Sequence, residues 1–352
     1  MTWPGSPRAP LPVTARLTLA GLAMAVAAGC ATLSSPLPAA GRPAALATSP
    51  APAPATARGP DDCGDPTISE RPPAVMPPPG AMPAGTLMDR IHQRGSITVG
   101  VLADVPPFGY IERTVDEHGQ GVSAFQGFDV DLAKEIAKSI FGPDGADETH
   151  LKFRAVTYAE RIPVIQDGDV DIVVATMTTN CARRAAVDFS VPYYDAVATV
   201  LVLKDSPYTG MKDLGGRKVC APLGTTSLEH VEDHPAGPVQ VGLPTVADCL
   251  VALQHHEVEA ISTDDVILVG LAQQDPQTRV LVDDLLPGDA DHELIAVGVG
   301  KDHPEMTGFV NGVLARIVAD GTWERLVRHH LWDYLAAFAP EFPRPPLPRY
   351  RD

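Results

Sequence analysis

The run VDIVVATM, residues 170–177, leaves this 352-residue chain less freedom than any other stretch. It is apolar at almost every position, whereas a strand with one wet face alternates apolar and polar side chains, so it is too apolar to be half exposed. A strand buried on both faces suits a parallel sheet covered by helices. The segments around it agree. LKFRAV (151–156) reads as another strand, and YAERIPVIQDG (158–168) as a short helix ended by Gly168. In GFDVDLAKEIAKSIFG, Phe128, Leu132, Ile136 and Ile140 recur every four residues, the spacing of an amphipathic helix. SITVGVLA (96–103) opens the domain as a strand, is broken at once by PPFGY, and gives way to a polar, glycine-containing loop. Alternating strands and helices predict an α/β architecture.

The pattern then repeats. ATVLVLK and GRKVCAPLG are strand-like, TVADCLVALQHH is helical, VEAISTDD is a strand running into two aspartates, and LIAVGVGK is a further strand. PEMTGFVNGVLARIVADGTWERLVRHHLW reads as two helices separated near Gly321. Two sets of similar size with no long linker predict two lobes and a cleft, a favoured place for a small ligand.

Upstream of this body lie targeting and spacing signals. Arg8 and Arg16 form a basic leader, and LTLAGLAMAVAAG (17–29) is an apolar stretch far short of the roughly 20 residues that span a bilayer, as in a signal peptide. Ala27, Ala28 and Gly29 run into Cys30, which resembles a bacterial lipobox, so Cys30 is the expected lipidated N-terminus, on the outer face of the cell membrane. Residues 31–85 are dominated by Ala and Pro and bury too little apolar surface to offset their ordering entropy, which predicts a tether. With a formal net charge of −17 and no basic stripe, the chain has no electrostatic reason to seek nucleic acid.

Setting Cys30 aside leaves Cys63, Cys181, Cys220 and Cys249, an even number in an exported protein. Three pairings exist. Cys220 closes a strand and Cys249 starts a helix of the same small lobe, so a bond between them would close a loop of about 30 residues, worth roughly 3.5 kcal/mol in the chain-entropy account. Cys63 and Cys181 would then form the second bond. The alternative is free buried cysteines acting as small hydrophobes.

One stretch is harder to place. ATMTTNCARRAAVDFS (175–190) follows the buried run and sets two arginines beside three threonines and a cysteine in an acidic chain. Together with GFDVDLAKEIAK, ERIPVIQDGDVDIVVATM, VPYY, GRKVCAPLGTTS, VEAISTDD and ADGTWERL, all in order from about Thr86 to Leu335, it resembles the extracellular solute-binding proteins of polar amino-acid ABC transporters. The resemblance implies a two-lobed type II periplasmic-binding-protein fold with a ligand cleft between the lobes. The expected organisation is a signal peptide over 1–29 and a tether over 30–85. Lobe 1 follows over 86–196 and 293–337, lobe 2 over 197–292, and a Pro-rich tail over 338–352.

Residue by residue, the resemblance assigns Arg183 to a ligand α-carboxylate, helped by Thr178, and Asp264 to the α-ammonium. Thr225 and Thr226, after Gly224, add donors to the carboxylate as the lobes meet. Arg161 and Thr176 stand where glutamate/aspartate binders face the distal carboxylate, and Tyr158 falls at a pocket-lining position. The chemistry is coherent, because an unpaired buried charge costs several kcal/mol and arginine meets a carboxylate with a two-pronged fork. Arg161 has another possible role, capping its helix or pairing with Glu160. Asp264 is preferred over Asp265, Arg184 is expected to point elsewhere, and Asp104 to lie near the pocket mouth. His255/His256 and His329/His330 are adjacent on helices and do not share a face, so no metal is expected there.

No cofactor, nucleophile or poised general base is expected, so the implied role is capture of an acidic amino acid, or its amide, by hinge closure. The expected partner is an ABC permease. A same-fold sensor reporting to a membrane signalling protein, and more remotely a same-fold dehydratase, are the other readings.

Overall fold

The computed structural model describes residues 63–115, 119–281, 292–336 and 342–351. The expected signal peptide, the lipidated Cys30 and the tether as far as residue 62 lie outside the described residues.

The apolar run becomes the strand Ile172–Thr178, buried at all seven positions. On one side it pairs in parallel with Ile97–Val101, which in turn pairs in parallel with Leu151–Ala155. On the other side it pairs with His292–Val299, and that pairing is antiparallel. The sheet is therefore mixed: burial on both faces was legible in the run, strand direction was not. The helix Phe128–Phe141 covers this sheet and buries Phe128, Leu132, Ile136 and Ile140, the residues whose spacing announced it.

The second lobe is built around Lys218–Pro222, flanked in parallel by Val239–Leu243 and Ala260–Asp264. One long strand, Tyr194–Leu203, belongs to both sheets. Its first half, Tyr194–Val197, pairs with His292–Val299, and from Ala198 onward it pairs with Ala260–Asp264. The change of partner falls between Val197 and Ala198, beside the expected lobe boundary at 196/197. This long strand is a passage between the lobes of an α/β, two-lobed type II fold.

Three segments differ from expectation. The polar loop after PPFGY is an antiparallel hairpin, Gly109–Val115 with Gly121–Gln126, whose mostly exposed side chains carry no burial pattern. The short helix over 158–168 is divided, with a 3₁₀ turn at Tyr158–Glu160 followed by the helix Pro163–Gln166. Residues 63–85, assigned to the tether, are held on the body. Ser69 is buried and donates through Oγ to the Phe189 carbonyl at 2.6 Å, while Asn311 Nδ2 donates to Ser69 Oγ at 2.8 Å and to the Glu70 carbonyl at 2.6 Å. The C-terminal tail lies alongside, with a parallel bridge between Ser69 and Tyr350 and with the Phe342 ring tilted against Trp332, centroids 5.1 Å apart. An Ala/Pro composition predicts little apolar burial, yet polar anchoring, the packing of Met76 and Met82 against the core and the Cys63 bond together fix this segment.

Both disulfides are formed, Cys63–Cys181 and Cys220–Cys249, with Cα separations of 5.5 and 5.6 Å. The break expected near Gly321 is present: Pro304–Ala319 ends before Gly321, which adopts φ 76°, and Thr322–Leu326 begins after it. Among the described residues, no helix is long and apolar enough to cross a membrane.

Candidate functional site

The pocket strand delivers its side chains where it ends. Past Thr178 the chain turns at Asn180, whose side chain accepts the Arg183 N–H at 2.8 Å and so caps the short helix Cys181–Ala186. The cap directs Arg183 back over the strand end, where Nη1 donates to the Thr178 carbonyl at 2.7 Å. Its neighbour Arg184 turns away and donates to the Pro66 carbonyl at 2.8 Å.

Arg161 enters the same space from the 3₁₀ turn. Nε donates to the Tyr158 carbonyl (3.0 Å), Nη1 to those of Ala175 (3.0 Å) and Thr176 (2.9 Å), and Nη2 to that of Gly224 (3.2 Å). Its guanidinium also lies 4.9 Å from the centre of the Tyr158 ring. Four of its five N–H donors are thus engaged with backbone, and one remains. It makes no ion pair with Glu160, whose carboxylate instead accepts from the Thr157 N–H at 2.8 Å and completes a capping box. Arg183 keeps more of its fork: besides Thr178, only the Gly224 carbonyl accepts from it, at 3.1 Å.

Gly224 belongs to the second lobe, and its carbonyl receives both arginines of the first. Two features let it come so close. It adopts φ 78°, and a Cβ there would stand 2.9 Å from Ala159 Cα. Beyond it, Thr225 Oγ1 donates to the Pro222 carbonyl at 2.7 Å and accepts the Leu228 N–H at 3.2 Å, capping the helix Thr226–Asp233. The first N–H groups of a helix have no partner within it and attract anions. Thr226 Oγ1 donates to Glu293 Oε2 at 2.9 Å, bringing in a buried carboxylate of the strand His292–Val299.

Asp264 ends the strand Ala260–Asp264 and is buried. Burial, then Glu293 and Asp265, hold its carboxyl well above the ordinary 3.8, against the pull of Arg161 and Arg183. Asp265 lies against the shared strand instead, accepting the Val197 N–H at 3.2 Å. Arg161 is pushed down from 12.5 to about 9 by burial and then by Arg183, the like charge beside it. A small anion would relieve one end of this pocket and a small cation the other.

Tyr158, Arg161, Thr176, Thr178, Arg183, Thr225, Thr226 and Asp264, all eight residues singled out in the sequence, line one small cavity of about 10 Å³, the room one water takes. Ser227 and Thr263 complete its wall. Asp104 is not in the lining. Burial raises its carboxyl above 3.8, and it accepts the Ala247 N–H at the start of the other lobe's helix Val246–Gln254. Thr176 is unusual, a β-branched residue at φ 42°, with its N–H donated to Asp129 Oδ2 at 3.0 Å. Its Oγ1 and the Tyr158 hydroxyl are buried with no partner among the described residues. Asp129, Gly224 and Glu293 escaped the sequence reading. A carboxylate in the first turn of an otherwise buried helix face was the one signal for Asp129, and a charge at the head of an apolar strand the one for Glu293. No cluster of metal-binding side chains occurs among the described residues.

Comparison with known proteins gives the family. The glutamine-binding protein GlnH of an ABC transporter in Bacillus subtilis is 31% identical over 239 residues, 68% of this chain and 82% of that protein. The glutamate-binding protein GluB of Corynebacterium efficiens is 31% identical over 242 residues, covering 68% and 80%. The crystal structure of a cysteine-binding protein from Campylobacter jejuni superposes with a TM-score of 0.62 at 28% identity, covering 73% of this chain and 96% of that one. Residues 97–333 match a single family, and the chain belongs to it: the bacterial extracellular solute-binding proteins, family 3.

Proposed function

We propose that this chain captures an amino acid with an acidic side chain, glutamate or aspartate, or the corresponding amide, and delivers it to an ABC permease. The observation that carries this reading is the charge arrangement of the cavity: two buried arginines on one lobe and a buried Asp264 on the other line the same small cavity, which widens as the lobes part. Arg183, with three guanidinium N–H donors to spare, takes the α-carboxylate together with Thr178 and the loop Thr225–Thr226. Asp264 takes the α-ammonium. The remaining Arg161 donor and Thr176 Oγ1 face the distal group, with Tyr158 packed along the side chain. Names of relatives add weight, since glutamine and glutamate binders stand among them.

Lobe 1, over 86–196 and 293–337, and lobe 2, over 197–292, rotate about the shared strand Tyr194–Leu203. The ligand bridges Arg183 and Asp264 and so stabilises the closed state by contacts absent from the open one. Cys30, lipidated after removal of residues 1–29, holds the protein at the outer face of the cell membrane. Calorimetry with L-Glu, L-Asp, L-Gln and L-Asn tests the distal end. Arg161→Ala should weaken Glu and Asp more than Gln and Asn, by about tenfold in the ratio, the effect of roughly 1.4 kcal/mol at a charge pair. Equal losses for all four would make Arg161 scaffold alone.

A further inference from the structure

Thr176 is gripped from both sides. Its N–H donates to Asp129 Oδ2 at 3.0 Å and its carbonyl accepts from Arg161 Nη1 at 2.9 Å. A β-branched residue at φ 42° keeps that conformation only where its surroundings impose it. The grip is what leaves Thr176 Oγ1 buried in the cavity wall with no partner among the described residues.

The other oxygen of the same carboxylate reaches the hinge. Asp129 Oδ1 accepts from the Tyr193 hydroxyl at 2.7 Å. Tyr193 directly precedes the shared strand Tyr194–Leu203. Its N–H donates to the Ile295 carbonyl of the neighbouring strand His292–Val299 at 2.8 Å, and its carbonyl accepts from Trp323 Nε1 at 2.8 Å. Asp129 itself is buried. Its ionised form is opposed by burial and favoured by Tyr193, Thr176 and the Arg161 charge, with the balance at about 7.

We propose that Asp129 is a positioning and selectivity residue of this site: it fixes Thr176 in its left-handed conformation, ties that peptide to the hinge through Tyr193, and offsets the Arg161 charge, which narrows the preference for a carboxylate over a carboxamide side chain. This rests on the ligand class proposed above. Arg161 spends its hydrogen bonds on neutral carbonyls, so its charge is answered by carboxylates at a distance. Of these, Asp264 is engaged by the ligand's ammonium, and Asp129 is left to set how much negative charge the distal end still demands.

The test is calorimetry of the full chain with L-glutamine and L-glutamate. Asp129→Asn keeps both hydrogen bonds, since the amide oxygen accepts from Thr176 and the amide N–H₂ donates to a reoriented Tyr193 hydroxyl. It removes only the charge. At pH 8 it should raise the affinity for glutamate relative to glutamine about tenfold, with glutamine changed no more than about threefold. In the parent protein the same ratio should shift toward glutamate as pH falls through about 7, and in Asp129→Asn that dependence should vanish. Asp264, raised as well, titrates against a group common to both ligands and cancels from the ratio. Tyr158 and Tyr193 stay protonated across this range, with pKa values well above 10. Asp104, the remaining raised carboxylate acting on Tyr158, is removed in Asp104→Asn. If Asp129→Asn does not fold, the pH series in Asp104→Asn reads the same charge. An unchanged ratio in Asp129→Asn, or a flat pH series, overturns the proposal while the ligand class stands. Failure of the parent protein to bind any of L-Glu, L-Gln, L-Asp and L-Asn overturns both.

Discussion

Single residues of this site are charges taken out of water, and that gives stability a definite dependence on pH. Asp129 is held at about 7 and Asp265 at about 6, both chiefly by burial, against an ordinary 3.8. A carboxyl whose folded pKa lies above its unfolded one binds its proton more tightly in the folded state. Its contribution is therefore complete below about 4 and is lost as pH rises through the folded value. The ligand-free protein should be more stable at pH 5 than at pH 8, read as a higher urea midpoint. Carboxylates with lowered pKa values, such as Glu160 and Asp65, act in the opposite sense only below their ordinary range. A midpoint that falls between pH 8 and pH 5 would show that these buried aspartates are not perturbed as their surroundings require.

Between elements, the decisive contact is Gly224 against the turn at Ala159. Gly224→Ala places a Cβ 2.9 Å from backbone at a residue whose φ is 78°, so the loops cannot meet without shifting. Reducing the closed population tenfold weakens apparent affinity tenfold. Gly224→Ala should therefore bind about tenfold more weakly or worse, and wild-type affinity would remove this contact from the closing mechanism. Legibility in the sequence follows the range of the interactions. Phe128, Leu132, Ile136 and Ile140 announce their helix because its buried face repeats locally, and the buried run 170–177 announces its strand. Arg183 and Arg161 were legible through the motifs around them. The hairpin 109–126 was not, because strands exposed on both faces have no period to read. Asp129 was hidden for another reason: its partners Thr176 and Tyr193 lie 47 and 64 residues away. The hold of Asn311 on Ser69, across 242 residues, is equally invisible in an Ala/Pro-rich segment.

Across the whole molecule, the shared strand Tyr194–Leu203 joins the two lobes. The first lobe supplies the cations, the second supplies Asp264, and the Cys63–Cys181 bond fastens the N-terminal segment to the very helix that presents Arg183. A zwitterion between the lobes would satisfy both sides at once, which neither lobe accomplishes alone. The central claim is that Arg183 receives the α-carboxylate common to every ligand of the class. Calorimetry of Arg183→Ala with L-Glu, L-Asp, L-Gln and L-Asn tests it most directly, with circular dichroism confirming the fold. The account predicts a loss of at least about thirtyfold for every ligand that the parent protein binds, as for removal of one partner from a buried charge pair. Near-parental affinity for any of them would contradict it.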